Sequence, residues 1–312
     1  MKLFAIIVAL LAEKYRPIEL QRSETWLQRF ANLAYTRLQN FGLSNGKISW
    51  LVIAVLPSIV LLIIQGFLPE FLNMLLGLLL LYFSFGLRSI SNHFTNILES
   101  LSSEDIPSAR SELKTWRGGS YDQLGSREIA CLAIEDGVNA AFDHFFAVLF
   151  WFILLGPAGI LLWRLTLSLR MEWNKLGSYP TTSACANETT DDASYAAAST
   201  HAYDILAWVP VRITGFIFAL LGNFSDTTRV WQEQASSIST STLAVLHCCI
   251  AGAVNVQLGL SYPQDGTVIE RTIIGNGNPP NFEAMQRTAI ILRNSLVAVL
   301  ICLAAISITY AL

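Results

Sequence analysis

Apolar residues along this chain gather into runs long enough to cross a bilayer, joined by segments in which they recur at three- and four-residue steps. Residues Trp50 to Phe67 and Phe71 to Leu87 form two such runs, separated only by Leu68-Pro69-Glu70, so the pattern predicts a transmembrane hairpin. A third run covers 145–169 and is interrupted by Gly156, Pro157 and Gly159. A fourth, 205–222, lies within AYDILAWVPVRITGFIFALLG, where Pro210 and Arg212 sit near the middle. A fifth, 296–312, lies at the C-terminal end. The expected architecture is all-α: a polytopic helical membrane protein with four or five spanning helices and additional amphipathic helices. All of it is read as one integral membrane domain over 1–312.

The segments between the runs have their own periods. In ETWLQRFANLAYTRLQNF, Trp26, Phe30, Leu33, Leu38 and Phe41 share one helical face while Arg22, Arg29 and Arg37 take the other. That pattern suits a helix in the headgroup layer, or one packed on another cytoplasmic helix. Residues 178–201 hold no Lys or Arg and many small polar residues, which predicts a mobile loop. The apolar stretch 242–260 contains His247, Asn255 and Gln257 and reads better as a buried helix than as a span. The start, MKLFAIIVALLAEKYRP, lacks a small-x-small cleavage site before Glu13 and Lys14. It is read as a retained short helix, buried or entering the membrane, and whether residues 1–12 cross is left open.

Composition agrees with this solvent. The 312 residues are 53% hydrophobic and 14% charged, against roughly 25% charged in soluble domains. The net charge of -3 gives no electrostatic footprint for nucleic acid. The five cysteines show no CxxC spacing, which argues against a zinc site or a disulfide framework. Arg and Lys flank the hairpin on its two outer sides and are missing from its tip, so the tip is expected to face away from the cytoplasm. Arg164, Arg170 and Lys175 conflict with that alternation: either the third run turns back at its Gly-Pro, or these cations stay near the outer surface.

No HExxH, GxSxG, P-loop or dinucleotide fingerprint occurs. The remaining candidates are ionisable residues at membrane depth, which are costly there and often functional. Glu135 and Asp143 are eight residues apart and could share a helix face. Oxygen ligands so placed could hold Mg²⁺, or could be solvated residues at a cytoplasmic mouth. Asp204 opens the fourth run, and Arg212 offers a planar fork suited to carboxylate or phosphate. Pairing of Arg212 with Asp143 or Asp204 is the purely structural alternative. Pro210 is expected to break this helix and bring Arg212 to a polar cavity. His93 and His247 are single histidines on helical segments, more often structural than ligating.

Several blocks then suggest a family. AWVPVRITGFIFALLG is similar to the W-[IV]-P-x-R-[LI]-T motif of the CobD/CbiB family of adenosylcobinamide-phosphate synthases. FAVLFWFILLGPAG resembles its A-P-L-F-W block and G-P-x-G turn, and SARSELKTWRGGSYDQL its A-R segment before G-R-D-T-x-x-L. Ala109, Arg110, Gly118, Leu124, Glu135, Asp143, Phe150, Trp151, Gly156, Pro157, Asp204, Trp208, Pro210 and Arg212 stand where that pattern expects them. The departures are Gly118-Gly119-Ser120 for G-R-D and Asn139 and Ala140 for a second Glu and an Asn. Leu167, Ser168 and Arg170 replace Asn-Thr-x-Asp, and Tyr203-Asp204 replaces an Asp pair.

These losses, with LLAEKYRP and Trp208 to Arg212, resemble the AmpE-like branch of the superfamily. That resemblance implies an inner-membrane, bacterial, ligand-binding sensory or accessory protein of the β-lactamase-induction type, with a degenerate synthase site. Its partners would be the lipid bilayer and a corrinoid or cell-wall-related ligand, with no nucleic acid and a homo-oligomer left open. The alternative is a working synthase that joins aminopropanol to cobyric acid with ATP and Mg²⁺. The resemblance then implies Glu135, Asp143, Asp204 and Arg212 as catalytic candidates. It also implies Arg110, Trp208 and Arg212 as substrate-binding, and Glu135 and Asp143 as Mg²⁺ ligands. A small transporter is the third reading.

Overall fold

A computed structural model describes residues 2–15, 28–30, 32–33, 35–37, 45–178, 188–238, 241–264 and 267–309. Eleven named helices and one two-stranded hairpin are found among them: α1 (Lys2–Tyr15), α2 (Gly46–Phe67), α3 (Glu70–Ser84), α4 (Leu87–Ser102), α5 (Ile106–Arg117), α6 (Ser126–Leu155), α7 (Pro157–Ser178), α8 (Glu188–Leu221), α9 (Phe224–Ile238), α10 (Leu243–Val254), β1 (Tyr262–Gln264), β2 (Thr267–Ile269) and α11 (Phe282–Thr309). Five stretches are long and apolar enough to cross a membrane: Gly46–Phe67, Glu70–Ser102, Ser126–Leu155, Ala193–Leu221 and Phe282–Ser307. The protein is an all-α, multi-pass membrane protein with a small antiparallel hairpin pairing Tyr262 with Ile269. The chain forms two compact units, 1–86 with 143–208, and 87–142 with 209–312. It passes between them at Gly86, at a π-helical turn over Phe142–Phe146, and beside Pro210 within α8.

In the first unit α1 packs on α3 through buried Ala5, Ile6 and Ala9, while Phe4, Ile7 and Leu11 on its other face are exposed, so the opening stretch is a retained helix with one packed face. α2 and α3 form the expected hairpin, and their outward faces carry exposed Leu56, Ile59, Ile63, Phe67, Phe71, Leu75 and Leu79, the pattern of lipid-facing surface. The expected single run 145–169 is instead two helices, because Gly156 at φ 66° and ψ -148° adopts backbone that Gly alone accepts readily. α7 turns back there and packs along the end of α6 and against α2 and α3. Of the two alternatives raised by Arg164, Arg170 and Lys175, the chain follows the first and turns back at Gly156. Arg164 is 4% exposed, and its Nη1 donates to His144 Nδ1 at 2.8 Å. Arg170 stacks its guanidinium 3.9 Å above the Tyr203 ring. Neither is a loop charge that sets orientation.

Two further expectations are corrected within α8. Residues 188–201 of the predicted mobile loop are helical, while 179–187 lie outside the described residues. Its alanines favour helix, and its small residues admit close packing. A Cβ added to Gly46 would meet Ser194 O at 2.7 Å and Tyr195 Cα at 2.8 Å, while Trp173 meets Tyr195 edge-on at 5.0 Å. Pro210 does not break the helix, which runs unbroken from Glu188 to Leu221. Thr214 Oγ1 returns a bond to Pro210 O at 2.8 Å. Of the amphipathic segment 24–41, residues 28–30, 32–33 and 35–37 are helical. Asn32 Nδ2 donates to Glu172 Oε2 at 3.2 Å, and Tyr35 packs edge-on to Tyr195 at 5.0 Å.

In the second unit α9 and α10 pack so closely that a Cβ on Gly252 would lie 2.5 Å from Thr227 Cα. α10 is almost wholly buried, as its mixed composition suggested, and ends at Asn255 in the left-handed conformation. α11 is capped by Asn281, whose Oδ1 accepts from Ala284 N at 2.9 Å. It packs on α6 and α4.

Candidate functional site

The second unit places Glu135 on α6 among groups from three later segments. Its carboxylate is 3% exposed. Oε2 accepts from Arg271 Nη2 at 2.6 Å, and Oε1 accepts from Gly259 N at 2.8 Å and from Cys131 Sγ at 3.4 Å. One turn along, Asn139 Oδ1 meets His247 Nε2 at 3.0 Å. Burial holds His247 below its ordinary pKa, with Arg271 adding to the effect and Glu135 opposing it. The neutral imidazole therefore donates from Nε2 and keeps Nδ1 as an acceptor. The neighbouring Cys248 thiol is pushed up to about 12 by burial, so it is no nucleophile.

Beside Glu135, Arg117 Nη1 donates to Asp136 Oδ2 at 3.2 Å and Oδ1 at 3.3 Å. Its Nη2 reaches Tyr262 OH at 3.4 Å. Burial opposes the charge on Arg117, but Asp136 and its neighbours more than offset this and raise its pKa further. The Tyr262 ring has Arg117 at 5.8 Å and Arg271 at 5.9 Å from its centroid. Arg271 and Tyr262, missed from the sequence, thus complete the surroundings of Glu135. They arrive on a polar segment more than 120 residues away, and no local spacing announces them.

The other candidates are placed differently. Arg110 donates from Nε to Leu124 O at 2.8 Å, fixing the turn before α6. Arg212, half-exposed on α8, lines a groove of about 480 Å³ with Thr228, Trp231 and Gln232 of α9. Glu135 does not line that groove. Trp208 is 53% exposed. Asp143 and Asp204 belong to the first unit. Asp143 Oδ1 accepts from Tyr203 OH at 2.6 Å, and its backbone carbonyl accepts from Trp163 Nε1 at 2.8 Å. That carbonyl lies within the π-helical turn, where the ordinary ladder is interrupted. His93 is a structural residue: Nδ1 lies 2.6 Å from Glu112 Oε1, and its ring stacks on Trp116 at 5.9 Å.

A profile of the CobD/Cbib protein family matches residues 4–292. The chain belongs to that family. It is 30% identical over 237 residues to the cobalamin biosynthesis protein CobD of Stutzerimonas stutzeri, covering 76% of this chain and 74% of that protein. It is 29% identical over 216 residues to the cobalamin biosynthesis protein CobD of Chromobacterium violaceum, covering 69% and 65%. A probable cobalamin biosynthesis protein CobD of Methanothermobacter thermautotrophicus is 28% identical over 224 residues, covering 69% and 71%. No solved structure matches. These relatives are named for cobalamin biosynthesis, which overturns the expectation of an AmpE-like sensory protein and favours the synthase. The replaced polar residues had suggested a degenerate site, but such losses at single blocks weigh less than a match over nearly the whole chain.

Magnesium needs oxygen ligands with free lone pairs. The oxygens of Glu135 are already engaged by Arg271, Gly259 and Cys131. Among the described residues no group of three or more His, Cys, Asp or Glu side chains could hold a metal. Glu135, as bonded here among the described residues, does not present a ready magnesium ligand.

Proposed function

We propose that this protein is the adenosylcobinamide-phosphate synthase of its host, seated in the inner membrane, joining an aminopropanol-type amine to a propionate of cobyric acid. The observation that carries this reading is the family match over residues 4–292, together with relatives named for cobalamin biosynthesis. ATP is consumed as a substrate, with its magnesium carried on the nucleotide phosphates. A propionate oxygen takes the γ-phosphoryl group of ATP, and ADP leaves. The amine nitrogen then attacks the propionate carbon to form the amide bond, that oxygen departs with inorganic phosphate, and the amine proton passes to solvent.

The chain's own residues take three roles. Arg212 grips an anionic end of a substrate in the groove it shares with Trp231, where its planar fork suits carboxylate or phosphate. Glu135, held by Arg271, fixes the buried N-terminal half of α6 against the segment carrying Gly259 and Tyr262, and so acts as a positioning residue. Asp143 and Asp204, with Arg110 and Trp208, remain candidates for substrate contact. The test is genetic and chemical. In a host deleted for its own synthase, this gene is expected to restore cobamide synthesis from cobyric acid, and Arg212→Ala to reduce it. Failure of the intact, membrane-inserted protein to restore synthesis would end the proposal.

A further inference from the structure

Away from the cluster around Glu135, the first unit holds a cavity of about 370 Å³ where the α2–α3 hairpin tip meets the turn between α6 and α7. Its walls include apolar Met74, Phe152 and Leu154, and its polar lining is Gln65, Glu70 and Asn73. Two of these amides are incompletely bonded: Gln65 Nε2 and Asn73 Oδ1 are buried and have no hydrogen-bond partner among the described residues. Asn73 is not loosely placed, since its Nδ2 donates to Gln65 O at 2.8 Å. Folded proteins rarely leave a buried donor and a buried acceptor unpaired, and here both belong to residues lining one cavity. Glu70, in the first turn of α3, adds an exposed carboxylate.

The cavity opens among surfaces that face lipid. Leu62 and Leu154, both in its lining, are 43% and 60% exposed, and Phe67 and Phe71 at the hairpin tip are 84% and 63% exposed. An occupant drawn from the bilayer reaches it without crossing water. Its polar end has to accept one hydrogen bond, donate another and carry positive charge near Glu70. We propose that this cavity binds the headgroup of an ethanolamine phospholipid. A phosphate oxygen accepts from Gln65 Nε2, while the primary ammonium donates to Asn73 Oδ1 and pairs with Glu70. The chain carbons lie along Met74, Phe152 and Leu154. A choline headgroup fails here because its quaternary nitrogen has no N–H to donate.

The experiment uses the full chain purified in mild detergent. Native mass spectrometry after incubation with equimolar phosphatidylethanolamine and phosphatidylcholine should show at least roughly tenfold preference for the ethanolamine lipid, the equivalent of one charge-assisted hydrogen bond. Glu70→Gln changes an exposed side chain, and Asn73→Leu removes the acceptor. Each should reduce the preference, with the variant's thermal midpoint confirming that it folds. Where Asn73→Leu fails to fold, the wild-type protein decides alone: its midpoint should rise with added phosphatidylethanolamine and not with phosphatidylcholine. Equal retention of the two lipids by wild type, or preference unchanged in Glu70→Gln and Asn73→Leu, overturns the proposal. Stabilisation by free O-phosphoethanolamine equal to that by the lipid overturns the bilayer as the source.

Discussion

Replacing Arg271 by Met keeps a similar apolar stem and deletes the cation that faces Glu135. The contact is short, 2.6 Å, between a carboxylate 3% exposed and a guanidinium 24% exposed. After the change the carboxylate keeps Gly259 N at 2.8 Å and the weak Cys131 Sγ at 3.4 Å. Removing one partner of a buried pair costs about 3–5 kcal/mol, and the partial exposure of Arg271 places this case at about 3. At roughly 2–4 °C per kcal/mol, the thermal midpoint should fall by roughly 6–12 °C. Thermal unfolding in detergent, followed by tryptophan fluorescence, reads this directly. Glu135→Gln in the Arg271→Met background removes the stranded charge while the side-chain carbonyl keeps accepting from Gly259. The double variant should therefore melt above Arg271→Met alone. An Arg271→Met midpoint within 2 °C of wild type, at a precision that resolves ~0.5 kcal/mol, would refute the reasoning. So would strictly additive effects in the double variant.

Other consequences are independent of that pair. Because burial holds the folded-state pKa of His247 below 6.5, the unfolded chain takes up the proton first as pH falls. Stability from this group is complete above 6.5 and is lost as pH falls below it towards the folded value, so unfolding at pH 5.5 against 7.5 should differ less in His247→Gln than in wild type. Gly252→Ala forces a methyl onto the Thr227 backbone, 2.5 Å away, and should lose about 1–3 kcal/mol in thermal unfolding. Gly156→Ala, at φ 66° and ψ -148°, should lose about 1–3 kcal/mol from backbone strain, while Ala at exposed Gly66 should have little effect.

What the sequence disclosed follows from the range over which each signal acts. The hairpin was legible because two apolar runs with a three-residue connection admit one solution. The turn between α6 and α7 was half legible: Gly156 and Pro157 marked a break, but the contacts that accompany the reversal, such as Arg164 with His144 twenty residues apart, are tertiary and leave no local pattern. The small residues of 188–201 looked like a loop because polarity and size cannot distinguish it from a helix whose small side chains admit Gly46. Pro210 misled for a related reason, since losing one backbone bond does not end a helix that 34 residues sustain. Glu135 was visible as an ionisable residue in an apolar segment. Arg271 lies 136 residues further on in an irregular segment, and only the tertiary fold names it as partner.

The central claim is that the chain catalyses amide formation on a corrinoid propionate. Its most direct test is product formation by the purified protein in proteoliposomes, supplied with cobyric acid, the aminopropanol-type amine, ATP and Mg²⁺. Mass spectrometry should detect the amide-linked corrinoid. Arg212→Ala should form it about tenfold or more slowly, the loss expected for a charged hydrogen bond worth roughly 1.5–3 kcal/mol. No amide from folded wild-type protein, or equal rates for wild type and Arg212→Ala, would contradict the account in its reaction or in its site.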